Sequence, residues 1–100
     1  MGQVQIDIPM DAVAETCRKY HVSELALFGS VLRDDFGPDS DVDVLVEFDP
    51  DARIGFIGLA GLMIDLSEII GRKVDLVPKN GLKRRIRKPV LESAQVIYAR

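Results

Sequence analysis

The chain has 100 residues, of which 47% are hydrophobic and 29% are charged, and its formal net charge is −3. This length fits one small domain, residues 1–100, and the composition excludes a disordered or fibrous protein. The N-terminus lacks a basic segment followed by an apolar run, and no stretch of about 18 apolar residues occurs, so we expect neither a signal peptide nor a membrane span. The single cysteine, Cys17, cannot form an internal disulfide, which favours the cytoplasm and a place for Cys17 in the core.

The charges are segregated along the chain. Acidic residues concentrate between positions 34 and 51, and basic residues between positions 72 and 88. This asymmetry indicates either a cation-binding and an anion-binding region on one small body, or two solvated faces of opposite sign. For the basic run from Lys83 to Lys88 we favour a solvated helix face over a contact with a nucleotide or an anionic partner.

The hydrophobic periodicity and the breaker residues predict an α/β chain with a small sheet covered by helices. The helices are expected over residues 10–20, 54–70 and 81–94, and the strands over 23–28, 41–48, 73–77 and 95–98. A short helix or turn over 30–35 and a loop over 37–40 connect the first two strands. The helix over 54–70 is apolar around most of its circumference, so it packs either centrally within the domain or against a partner chain.

The first candidate functional feature is Gly29-Ser30, which ends the first predicted strand. Glycine lets the backbone approach a ligand closely, and backbone N–H groups at the start of a helical segment attract anions. The Ser30 hydroxyl could add a hydrogen bond to a phosphate oxygen. The pair therefore predicts either a phosphate site or a plain turn, since such dipeptides are common in loops.

Asp41 and Asp43 form the second feature. Residues two apart on a strand point to the same side, so the two carboxylates share one face and Val42 points away. Adjacent carboxylates repel each other unless a cation lies between them, and Mg²⁺ prefers such hard oxygen ligands. The alternative is two acids on an exposed strand face. Glu47 lies farther along the same face and is expected to be exposed.

Asp75 is the third feature, because it interrupts the otherwise apolar strand Val74–Val77. Carboxylates are rarely buried without a partner. If this strand neighbours the strand of Asp41, Asp75 completes a cluster of three carboxylates. The alternative is an ion pair between Asp75 and Arg72 or Lys73.

Together these residues carry a family resemblance. Gly29-Ser30, followed after ten residues by Asp41-Val42-Asp43, resembles the signature of the DNA polymerase β-like nucleotidyltransferase superfamily. The overall length, Arg33 and the later segment 71–77 are similar to the minimal nucleotidyltransferases. These are the antitoxin halves of bacterial and archaeal toxin–antitoxin pairs whose toxin is a HEPN-type ribonuclease.

The resemblance implies a fold, a reaction and roles for the site residues. The fold would be a mixed β-sheet with helices on one side. Gly29 and Ser30 would hold the triphosphate of ATP, and Arg33 would either contact phosphate or pair with a nearby aspartate. Asp41 and Asp43 would bind two Mg²⁺ ions, while Asp75 would share one ion and help to activate the attacking hydroxyl.

The implied reaction is the transfer of AMP from ATP to a hydroxyl, a tyrosine in this family, of the HEPN partner within a hetero-oligomer. No direct contact with nucleic acid or membrane is expected. One alternative is an antitoxin that neutralises its partner by binding alone. Another is a nucleotidyltransferase acting on a small molecule or RNA, which we disfavour because the chain ends at Arg100 without an additional substrate-binding domain.

Overall fold

The computed structural model describes residues 6–32, 37, 39–82 and 84–100, apart from the side chain of Arg84. The helices are α1 (Met10–Lys19), α2 (Phe56–Ile70) and α3 (Arg84–Ser93), and the strands are β1 (Val22–Phe28), β2 (Val42–Phe48), β3 (Val74–Pro78) and β4 (Gln95–Ala99). Short 3₁₀ turns follow β1, at Gly29–Leu32, and β3, at Lys79–Gly81.

The strands form one mixed sheet in the order β3-β2-β1-β4. β1 pairs antiparallel with β2 and with β4, whereas β2 pairs parallel with β3. A parallel pair requires a crossover connection, and α2 supplies it. The predicted fold class, an α/β chain with a small mixed sheet flanked by helices, is therefore confirmed.

The two faces of the sheet are covered unequally. On one face Val42, Val44 and Val46 of β2 pack in the main core, which also contains Leu62 and Leu66 of α2. On the other face a smaller cluster is formed by Ala26, Leu45 and Leu82, with Val90 and Ala94 at its edge. The helices therefore do not lie on one side only, as the resemblance implied, because α3 covers part of the second face.

The helix boundaries differ from the expected ones mainly at the N-terminal ends. α2 begins at Phe56 instead of position 54, because Gly55 is extended and precedes the first turn without a side-chain cap. α3 begins at Arg84 because the 3₁₀ turn at Lys79–Gly81 uses the preceding residues. At its other end α2 stops at Gly71, which adopts the left-handed conformation with φ 77°.

One side of α2 remains uncovered. Leu62 and Leu66 are fully buried, but Phe56 and Ile57 are each 91% exposed and Ile64 is 54% exposed. Together with the exposed Ala60 these side chains form what we call the α2 stripe, consisting of Phe56, Ile57, Ala60 and Ile64. Central packing within the domain therefore does not account for this side of the helix.

Within the described ranges, no helix has both the length and the apolar character that a bilayer crossing demands.

The first turn after β1 strongly favours glycine at its first position. Gly29 has φ +76°, a left-handed conformation that costs other residues free energy. A Cβ atom at this position would also lie 2.2 Å from Oδ2 of Asp43, which is far inside van der Waals contact. The backbone of the turn therefore passes directly over the carboxylate of Asp43.

Cys17 is a core residue, as predicted, with no exposed surface. Burial raises the pKa of its thiol to about 11, and Arg18 offsets the rise only in part.

We expect the native protein at pH 8 to resist a thiol reagent such as dithionitrobenzoate, because the thiolate is the reactive form. The urea-unfolded chain should react completely. The Cys17→Ala variant, which has no thiol, gives the background signal of the reagent. The folded pKa is raised, so the stability linked to this proton should persist below pH 9 and fall as the pH rises towards 11.

Replacing Gly29 tests the geometry of the turn. We expect Gly29→Ala to lower the free energy of unfolding by about 1–2 kcal/mol from the left-handed conformation alone, with a further loss from the contact with Asp43. Urea denaturation at pH 7 measures the difference. Gly37→Ala is the matched control, because among the described residues a Cβ there meets Ser40 Oγ at an ordinary contact distance of 4.0 Å. Equal stabilities for the two variants would contradict this account.

Candidate active site

The register of the parallel strands brings Asp43 and Asp75 together. Asp43 of β2 is the direct partner of Asp75 of β3, and on its other side it faces Phe28 of β1. Neighbouring strands lie about 4.8 Å apart, and direct partners point to the same face of the sheet. The two carboxylates therefore share one surface, beside the turn at Gly29.

The exposure of Asp75 differs from the expectation. Val74 and Leu76 are buried, yet Asp75 between them is exposed, because β3 is an edge strand and this part of its face is uncovered. The alternative, an ion pair of Asp75 with Arg72 or Lys73, does not occur among the described residues. Lys73 Nζ lies 3.9 Å from Asp41 Oδ2, and Arg72 Nη2 donates to the carbonyl oxygens of Gly37 and Ser40.

Asp41 lies immediately before β2, where Val42 N donates to the Lys73 carbonyl oxygen over 2.8 Å. Its contact with Lys73 is loose, since the two side chains are 44% and 80% exposed. Exposed ion pairs of this kind contribute little to stability, typically about 0–1 kcal/mol. The Asp41 carboxylate can therefore leave Lys73 for a stronger partner.

Gly29 and Ser30 begin the 3₁₀ turn that follows β1. Val31 and Leu32 are buried and anchor the turn, whereas Gly29 and Ser30 remain partly exposed. The backbone of Gly29, which lies against the Asp43 carboxylate, is consequently held on a fixed support. Arg33, the third predicted nucleotide-binding residue, lies outside the described residues, as do Asp34 and Asp35.

The donor chemistry of this surface fits a divalent cation. Asp43 and Asp75 supply hard oxygen atoms from adjacent strands, and Gly29 leaves the space beside Asp43 free of a side chain. Mg²⁺ is commonly bound by one or two carboxylates together with substrate phosphates and water. A ready-made cluster of three possible ligands does not occur in the part of the chain that the structure describes. A third carboxylate would come from Asp41 after it leaves Lys73.

A cavity among the described residues lies away from these carboxylates. It has a volume of about 530 Å³ and is lined by Glu47, Asp49, Lys79, Arg87 and Leu91, among others. Glu47 is four residues from Asp43, about 13 Å along the strand. None of the predicted site residues that the structure describes lines this cavity, and the carboxylates lie towards the other end of β2.

Comparison with known proteins assigns a family. Residues 10–97 match the model of the nucleotidyltransferase domain. Protein adenylyltransferase MntA of Thermococcus cleftensis is 39% identical over 85 residues, which cover 84% of this chain and 81% of the relative.

Two solved toxin–antitoxin structures share the fold. One contains AMP-PNP; it has a TM-score of 0.73 and 18% identity, and the match covers 93% of this chain and 75% of that one. The other is the tri-AMPylated HEPN toxin of Shewanella oneidensis in complex with its MNT antitoxin, with a TM-score of 0.65, 18% identity, and 91% and 70% coverage. At these identities the two structures establish the fold alone. The family match over most of the sequence and the similarity to a protein adenylyltransferase identify this chain as a nucleotidyltransferase, a member of the nucleotidyltransferase domain family.

Proposed function

We propose that this chain is an antitoxin that transfers AMP from ATP to a hydroxyl, a tyrosine by family resemblance, of a HEPN ribonuclease toxin in the cytoplasm. The observation that carries the proposal is the register that sets Asp43 beside Asp75 at the Gly29 turn. The similarity to protein adenylyltransferase MntA supports the reaction. The AMPylated HEPN toxin in a structure of the same fold supports the partner.

Each aspartate has its own role in the proposed transfer of AMP. The acceptor oxygen attacks the α-phosphorus of ATP, the bond from this phosphorus to the bridging oxygen breaks, and pyrophosphate leaves. Two magnesium ions, when bound, neutralise charge on the attacking and leaving oxygens. Asp41 and Asp43 would hold these ions, and Asp75 would help to hold one of them and help to activate the attacking hydroxyl by taking its proton. Catalysis of this kind depends mainly on positioning and electrostatics.

The triphosphate is assigned to the turn after β1. Gly29 lies against the Asp43 carboxylate, and the backbone N–H groups of Gly29 and Ser30 and the Ser30 hydroxyl supply hydrogen-bond donors in this turn. Arg33, three residues beyond Ser30, adds a positive charge for phosphate in this proposal. The phosphates would then complete the coordination of the cations that the carboxylates hold.

The exposure of Asp75 favours a macromolecular acceptor. This carboxylate is exposed on an edge strand, and the 530 Å³ cavity lies at the opposite end of β2. A small molecule is normally enclosed by its binding pocket. A side chain carried by another protein can reach an open surface, and the rest of that protein then shields the reaction from water.

We infer that the toxin docks on the α2 stripe. The segment from Phe56 to Ile64 carries no charge, and its first two side chains are each 91% exposed. Soluble monomers rarely expose contiguous apolar patches, and interface cores are apolar and depleted in charged residues. The stripe lies on the helix that covers the sheet face opposite Asp43, so binding and catalysis can be altered separately.

The carboxylate pair can be tested by transfer of AMP. The purified chain is incubated with the HEPN toxin from the neighbouring gene, Mg²⁺ and ATP, and the toxin mass is followed by mass spectrometry. We expect Asp43→Asn and Asp75→Asn each to slow the transfer by at least about 100-fold, since even residues around metal ligands affect activity by 10–100-fold. Glu47→Gln, an exposed carboxylate on the same face of β2, should transfer at the wild-type rate.

The outcomes separate the competing functions. If wild-type chain adds no AMP but inhibits the toxin ribonuclease, the antitoxin acts by binding alone. The same conclusion follows if wild type and Asp43→Asn neutralise the toxin to the same extent and both require stoichiometric amounts. Transfer to RNA or to a small molecule, with an unmodified toxin, would instead support the third function.

The docking surface is tested by affinity. We expect the double variant Phe56→Ser, Ile57→Ser to weaken binding to the toxin by about 30-fold or more, because buried aromatic and aliphatic anchors dominate interface energies. Isothermal titration calorimetry measures the change. Val96→Ser, which alters a 50% exposed apolar side chain on β4, is the control. Unchanged affinity of the double variant would place the interface on another surface.

A further inference from the structure

Arg72 makes contacts that neither its charge nor its neighbours in sequence predict. Its Nη2 atom donates to the carbonyl oxygen of Gly37 over 2.6 Å and to that of Ser40 over 2.8 Å. Gly37 and Ser40 are also hydrogen-bonded to each other. Ser40 N donates to the Gly37 carbonyl oxygen over 3.1 Å, and Gly37 N donates to Ser40 Oγ over 3.0 Å. The guanidinium therefore binds two residues that are already hydrogen-bonded to each other. One of them, Ser40, directly precedes Asp41.

The position of Arg72 is itself fixed. It follows Gly71, whose left-handed conformation ends α2 and whose N–H donates to the Ser67 carbonyl oxygen over 2.8 Å. The Ser67 hydroxyl oxygen accepts a hydrogen bond from Val74 N at 3.1 Å, and Val74 is buried in the core. The junction between α2 and β3 is thus tied to the helix on one side and to the sheet on the other.

Asp41 lies between two attachments to this junction. On its N-terminal side the Ser40 carbonyl oxygen binds Arg72, and on its C-terminal side Val42 N donates to the Lys73 carbonyl oxygen over 2.8 Å. The backbone of Asp41 is therefore fixed on both sides, whereas the contact of its half-exposed side chain with Lys73, among the described residues, is loose. Such an arrangement orients a carboxylate and still leaves it free to bind.

We propose that Arg72 is a positioning residue that sets the backbone of Asp41 for binding a divalent cation. This inference rests on the proposed function, in which Asp41 is a ligand. Arg72 acts through the carbonyl oxygens of Gly37 and Ser40 and not on the nucleotide. Hydrogen bonds from a charged guanidinium are stronger than neutral ones and have a fixed geometry.

Two variants and one control test the role of Arg72. Arg72→Ala removes both hydrogen bonds, and Arg72→Lys keeps the charge but has a shorter stem and no planar donor group. Arg18→Ala removes an exposed arginine from the last turn of α1, away from the carboxylates. Each protein is measured by Mn²⁺ binding in the presence of AMP-PNP, and by hydrogen exchange of the Ser40 and Val42 amides without metal.

We expect Arg72→Ala to weaken Mn²⁺ binding by about 10-fold, the usual effect of losing a residue that orients a metal ligand. Exchange of the Ser40 and Val42 amides should accelerate, while exchange of the β1 amides stays unchanged. Arg72→Lys should show an intermediate affinity, and Arg18→Ala should match wild type. The Mg²⁺ concentration for half-maximal AMP transfer should follow the same order.

A merely structural role gives a different result. If Arg72→Ala lowers the unfolding temperature but binds Mn²⁺ as tightly as wild type, the proposal is wrong. If that variant does not fold, Arg72→Lys decides, and a wild-type Mn²⁺ affinity there overturns the proposal. Failure of the proposed function is recognised separately, because wild-type chain would then bind Mn²⁺ no better than Asp43→Asn and would transfer no AMP.

Discussion

The parallel pairing of β2 with β3 is the constraint on which the site depends. Val42 and Val44 on one strand, and Val74 and Leu76 on the other, are buried in the same core, which fixes the register of the pair. A shift by one residue would turn a carboxylate into this core and a valine into solvent. Two adjacent carboxylates repel each other, so their proximity has to be imposed by other forces. The apolar side chains on the opposite face impose it.

The unequal cover of the sheet determines what can reach the carboxylates. α1 and α2 close one face, whereas α3 covers only the region around Ala26 and Leu45 of the other. The remaining part, at the edge formed by β3, stays open. An open edge with a half-buried Asp43 and an exposed Asp75 suits a reaction in which one ligand rests against the turn while a large second reactant arrives from outside.

Local chemistry explains why most helices and strands could be predicted from the sequence. The alternation from Asp41 to Phe48 predicted a strand that the structure shows as Val42–Phe48, and Gly71 marked the end of α2. The fold of the sheet required the family resemblance, since periodicity gives strands but not their order. The roles assigned to the three aspartates and to Gly29 and Ser30 remain predictions.

Features that depend on distant parts of the chain could not be predicted. The exposure of Asp75 follows from the edge position of β3, which no local pattern indicates. Arg72 was considered only as an ion-pair partner, but it binds carbonyl oxygens of residues more than 30 positions away. The only available signal was an arginine between a glycine helix stop and a strand. That signal does not indicate which carbonyl oxygens accept hydrogen bonds from the guanidinium.

The start of α2 has a consequence for the fate of unpartnered molecules. Gly55 precedes the helix without a side-chain cap, and glycines at positions 58 and 61 further lower the helical propensity of the first turns. Phe56 and Ile57 lie in these turns and are almost fully exposed. Transient fraying there presents an aromatic residue in extended backbone, which is a substrate for proteases and an attachment point for chaperones. The lifetime of this protein in the cell would then depend on how much of the partner that covers α2 is present. Copies of the protein without that partner would be degraded.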